Sequence, residues 1–146
     1  MNFMSNFTDR FYLNFIKDDR WIYIADGLKV TLTVTFFSVL IGIVLGFIIA
    51  LIRATYDRIG KKIFRWDGFG DFILWFFNLI CKLYLTIIRG TPVVVQLLII
   101  YFVIFASVDL EKWIIAAIAF GINSGAYVSE IIRAGILYID IGQTEA

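Results

Sequence analysis

Glu130 and Arg133 lie three residues apart, hence on one helix face, at the end of an apolar run that starts at Trp113. Unpaired charges cost about 2.5–3.5 kcal/mol each at the centre of a membrane helix and less near the interface, so a mutual ion pair is the cheapest reading. A compatible second reading has them fix the geometry of the segment that follows, or face a partner. Asn123 and Ser124 sit deeper in the same run, and with Gln96 and Thr91 they are the neutral groups able to line a polar path. Hydrogen bonds between helices explain these four at least as well, at about 1 kcal/mol or less apiece. Arg89 suits either a carboxylate ligand or an anchor in lipid phosphate, with the anchor favoured. Other chemistries are closed to this chain. It has no histidine, the commonest general base and metal ligand, and Cys81 stands alone, so neither a Ser-His-Asp arrangement, a Cys/His metal site nor an internal disulfide can be assembled.

The elements that must hold these residues are membrane helices. The chain is 61% hydrophobic and 18% aromatic, with a mean hydropathy of +0.88. That lies well above the roughly 45–50% apolar content of soluble domains. Thirteen basic and twelve acidic residues give a net charge of +1, which is no electrostatic footprint for nucleic acid. Leu28 to Ile52 carries one charge, Lys29, at its very start; at ~1.5 Å per residue it exceeds the ~30 Å hydrocarbon core and predicts a first span. Ser38, Gly42, Gly46 and Ala50 recur every fourth residue, with Thr31 and Thr35 extending the row, so that another helix backbone can approach closely. Ala117, Gly121, Gly125 and Ser129 repeat the pattern in a span at 113–137.

Between these two spans the reading is less direct. Arg53 to Asp71 is the densest basic stretch, holding Arg53, Arg58, Lys61, Lys62 and Arg65, so the positive-inside rule makes it cytoplasmic and puts the N-terminus outside. Phe72 to Ile88 is marginal as a span and sets Asp71, Asn78, Lys82, Thr86 and Arg89 on one stripe, which favours an interfacial helix over one slanting through a bundle. Thr91 is a plausible cap and Pro92 a plausible first residue for a helix over Val93–Val108, starting anew or continuing across a kink. That run reaches only about 24 Å, so a span at 90–108 is expected to recruit residues upstream of Pro92. Asp109 to Lys112 makes a short outer turn, and Trp113 is an interfacial anchor. Residues 1–26, half apolar and rich in Phe and Tyr, suit an outer interfacial segment or a loosely ordered terminus.

Two tracts carry a resemblance. RGTPVVVQ (Arg89, Gly90, Thr91, Pro92 through Gln96) and AYVSEIIRAGILYIDIGQTEA (Ala126 to Ala146) resemble the permease subunits of ABC importers for polar amino acids. In that family the second tract opens the EAA loop, whose short coupling helix docks on the ATPase. Ala126, Tyr127, Glu130, Arg133, Gly142, Gln143, Glu145 and Ala146 match it, and the sequence stops at the second letter of EAA. The resemblance implies an all-α, polytopic transmembrane bundle, here the N-terminal part of one from residue 27, with the coupling loop beginning at 138–146. Gly142, Gln143, Glu145 and Ala146 are then the ATPase-coupling residues, with Gly142 allowing a change of direction and Glu145 favoured by a helix N-terminus.

No GxxxxGK[ST] loop occurs in the sequence, so ATP and Mg are expected on a separate ATPase subunit and no cofactor on this chain. The family implies further partners: a second permease subunit, an extracytoplasmic substrate-binding protein and the lipid of the cell membrane. The expected function is an amino acid permease subunit that moves substrate without bond-making chemistry. A truncated, non-transporting stub and a channel or gating subunit are the alternatives, the channel weakened by the lack of a filter-like tract.

Overall fold

The computed structural model describes residues 3–60 and 69–138, and every regular element among them is helical. Helix α1 (Phe3–Phe11) runs into a π-helical turn at Tyr12–Ile16 and a 3-10 turn at Lys17–Asp19. Phe7, Phe11 and Phe15 recur every fourth residue and stack with centroids 6.4 and 4.9 Å apart. The chain then breaks at Asp18 and Asp19, whose φ values of 59° and 54° are left-handed, a conformation Asp tolerates better than most residues.

Helix α2 (Trp21–Gly60) passes beyond the expected span at both ends, because no proline interrupts it and its flanking polar residues are compatible with helix. Helix α5 (Lys112–Tyr138) is its main partner. A β-carbon added to Gly42 would come within 2.9 Å of Ser124 Cβ, and one on Gly46 within 2.7 Å of Val128. Gly121 faces Ile41 at 2.7 Å, and Gly125 faces Leu45 at 3.1 Å. The two rows of small residues therefore meet, and each glycine admits a neighbour that any side chain would displace. Ser38 Oγ closes the row by donating to the Ala117 carbonyl at 3.1 Å. Thr31 and Thr35 are exposed, so the row on α2 begins at Ser38; Thr31 donates to Gly27 O on its own helix instead. Rising numbers on α2 meet rising numbers on α5, so the helices are parallel and the chain between them must return to the side from which α2 started.

Helix α3 (Phe69–Gly90) and helix α4 (Val93–Ile99), continued by a π-helical turn at Ile100–Ile104, make that return. With 22 residues α3 is longer than the sequence suggested and, by length and composition, could itself cross a membrane. Its contacts with the pair are near the far end: Cys81 and Leu85 pack on Ile49 and Ala126, and Tyr84 OH donates to Ile122 O. The expected stripe is split, since Asn78 is buried while Lys82, Thr86 and Arg89 are exposed. The span anticipated at 90–108 does not recruit upstream residues. The chain breaks at Gly90–Pro92, where Pro92 adopts an extended ψ of 135° and precedes the helix as its cap. α4 then runs antiparallel to α5, with Gln96 beside Asn123 and Ile100 packed on Ile115 and Ala119.

Candidate functional site: a charged cluster and a sewn joint

Where α2, α3 and α5 converge, five charged side chains assemble. Glu130 Oε1 accepts from Arg53 Nη1 at 2.6 Å, and its Oε2 accepts from Arg133 Nη2 at 3.0 Å and Arg133 Nε at 3.2 Å. Arg133 Nη1 reaches on to Asp57 Oδ2 at 2.6 Å, while Arg89 Nη1 stands 3.7 Å from Glu130 Oε1 and its guanidinium lies 5.8 Å from the centroid of the Tyr127 ring. Arg58 Nη2 donates to the Ile136 carbonyl near the end of α5. The anticipated Glu130–Arg133 pair is present, as part of a larger lattice that ties two helices along one edge and draws in the end of a third. Side-chain exposures of 15% for Arg53 and 24% for Glu130 put the contacts in a partly desolvated setting, where ion pairs are screened less than on an open surface.

The neutral candidates form a second cluster at the α3–α4 break. Gln96 is buried, and its Nε2 donates to Ile88 O at 2.7 Å, Thr91 O at 3.0 Å and Thr91 Oγ1 at 2.7 Å. Its Oε1 accepts from Asn123 Nδ2 at 3.2 Å. Thr91 Oγ1 in turn donates to the Ile87 carbonyl, so Thr91 finishes α3 rather than capping α4. A helix that stops leaves unpaired carbonyls, and here one glutamine gathers them and pins the joint to α5. Ser124 packs with its Cβ against Gly42. The coupling residues Gly142, Gln143, Glu145 and Ala146 lie outside the described residues, as do Lys61, Lys62 and Arg65.

Arg53 and Asp57 are the members that sequence reasoning did not single out. They count there only as loop charges, although they lie three and seven residues beyond Ala50, on the helix face that carries Ser38, Gly42, Gly46 and Ala50. On α5 the next step of the row beyond Ser129 is Arg133, and Glu130 lies three residues before it.

A parallel helix pair packed on small residues, a broken return helix and a shared charged edge define an all-helical bundle with three helices long and apolar enough to cross a membrane. No protein-family model matches the chain. It is 38% identical to the arginine transport system permease protein ArtQ of Bacillus subtilis, over 85% of this chain and 50% of that protein. It is 36% identical to the L-cystine transport system permease protein TcyB of the same organism, over 90% of this chain and 49% of that protein. A solved structure described as an amino acid ABC transporter with histidines aligns with a TM-score of 0.56 and 32% identity, covering 85% of this chain and 54% of the other. Over the matched residues the chain's homologues are amino acid ABC transport permeases. It spans about half the length of the curated relatives it matches.

Proposed function

We propose that the chain supplies the α2–α5 part of the membrane-spanning permease in an ATP-driven amino acid importer. The observation that carries the reading is the joint occurrence of RGTPVVVQ at a real helix break and a charged α2–α5 edge, within a fold shared with an amino acid ABC transporter at 32% identity. In this reading the basic end of α2 faces the cytoplasm and the N-terminus lies outside. Gly142, Gln143, Glu145 and Ala146 receive the motion of a separate ATPase that holds ATP and Mg. A second permease subunit and an extracytoplasmic binding protein complete the assembly.

The Glu130 lattice fits this role mechanically. It holds α5 to α2 just before the segment that would meet the ATPase, so a push on that segment moves the two helices as one body. Gln96 and Asn123 serve by fixing the α3–α4 joint, and Ser124 by close packing. The test is uptake of labelled arginine and cystine into cells expressing the gene together with an amino acid ABC ATPase. Uptake that disappears when Glu145→Lys is introduced, together with loss of the ATPase on affinity purification, supports the reading. An ATPase that is never captured, under conditions where a chain carrying the ArtQ coupling segment captures one, overturns it.

A further inference from the structure

Beside the Glu130 lattice a pocket of about 480 Å³ opens between the helices, lined by Arg53, Lys82, Thr86, Arg89, Tyr127 and Glu130, with Leu85 and Gly90 completing its wall. Three cations border it against one carboxylate, and that carboxylate is already engaged: Oε1 holds Arg53 and Oε2 holds Arg133. Arg53 Nε is buried with no hydrogen-bond partner among the described residues. Lys82 is exposed, and no ion pair to it is seen among the described residues. With Arg89 only 3.7 Å from the already engaged Glu130 Oε1, the three cations exceed the one carboxylate, and Lys82 brings the pocket a charge left unpaired among the described residues.

We infer that this pocket binds a phosphate group, and that the group is the headgroup of an anionic membrane lipid. Guanidinium and ammonium groups around one cavity match a tetrahedral oxyanion, the Arg fork binding two oxygens and the Lys a third. The surroundings select the source. Leu83 and Ile87, which flank Lys82 and Thr86 on α3, are 55% and 59% exposed, and Leu85 and the Tyr127 ring stand in the wall itself. A polar pocket rimmed by bare apolar side chains suits a molecule with a charged head and greasy tails, whereas a free phosphate would use only half of it. A bound headgroup would join α3 to the α2–α5 edge through charge that Glu130 alone cannot balance. The inference rests on membrane residence and not on transport, so it survives or fails separately from the importer reading.

The chain purified in a neutral detergent is exposed to phosphatidylglycerol or phosphatidylcholine, and bound lipid is counted by native mass spectrometry. Retention of phosphatidylglycerol in preference to phosphatidylcholine is expected, with Lys82→Gln and Arg89→Gln each weakening it roughly fivefold, the scale of one basic residue at an anionic surface. Lys82→Arg restores it, and Lys29→Gln, at the opposite end of α2, leaves it unchanged. Displacement by millimolar glycerol phosphate would assign the site to free phosphate and overturn the lipid assignment; resistance to it supports the lipid. Equal retention of both lipids, an equal loss in Lys29→Gln, or displacement by a free amino acid would overturn the phosphate site altogether. Circular dichroism of each variant guards against unfolding, and Lys82→Arg keeps the test decisive if Arg89→Gln fails to fold.

Discussion

Glu130 is the residue on which three arginines converge, and its substitution separates an ion pair that merely exists from one that holds helices together. Replacing it with Gln leaves Arg53, Arg133 and Arg89 facing one another with, among the described residues, only Asp57 to balance them. Breaking a fully buried pair costs about 3–5 kcal/mol; with a quarter of this side chain still exposed, a loss of about 2 kcal/mol is expected. Thermal unfolding in mild detergent measures it. The stricter version is a double-mutant cycle with Arg53→Gln and Glu130→Gln, which should return a coupling of about 1 kcal/mol or more. Strict additivity would mean that the 2.6 Å contact contributes nothing to stability. Arg133→Lys keeps the charge but cannot bridge Asp57 and Glu130 with one planar fork, so its cost should fall between wild type and the Gln variant.

At the level of helices, stability resides in close approach and in one sewn joint. Gly46→Leu forces a branched side chain where even a β-carbon would lie 2.7 Å from Val128, and overpacking of this kind costs about 1–3 kcal/mol or separates the helices outright. Gly135→Ala meets nothing within 4 Å and should stabilise α5 slightly, by up to about 1 kcal/mol, through helix propensity alone. Equal unfolding temperatures for the two variants would remove the close-packing account. Gln96→Leu strips Ile88 O and Thr91 of their donor, and about 1–3 kcal/mol of local stability should go with it. Faster amide hydrogen exchange at the start of α4, with α2 unchanged, is the expected sign.

The small-residue rows were legible in the sequence because a four-residue repeat of Gly, Ala and Ser has few other uses in a membrane helix. The α3–α4 joint was not, since RGTP permits a kink, a cap or a break. What decides among them is Gln96 folding back onto carbonyls five and eight residues upstream, a contact that no periodicity reveals. The partners of Glu130 were hidden for a related reason: Arg53 and Asp57 look like ordinary loop charges until the register of α2 against α5 is known.

Taken as a whole, the chain is two parallel helices with a return leg, and this constrains how it can sit in a bilayer. Since α2 and α5 run the same way, Trp113 at the start of α5 belongs on the side where α2 begins; its ring lies 5.7 Å from Phe37, and its indole N–H donates to Glu111. The basic end of α2, with Arg53 and Arg58, and the end of α5, with Arg133, then share the opposite side. We propose that this side is cytoplasmic, as the positive-inside rule expects. Reporter fusions at residue 63 should therefore show cytoplasmic behaviour and fusions at Asp109 extracytoplasmic behaviour. Both reporters on one side would mean that α4 and its flanking turns do not cross, which the antiparallel contact of Gln96 with Asn123 and of Ile100 with Ile115 argues against. Neutralising Lys61, Lys62 and Arg65 to Gln should produce a mixed population at both positions, because Arg53, Arg89 and Arg133 are engaged in ion pairs and, among the described residues at that end, Arg58 and Lys82 are left to hold the orientation.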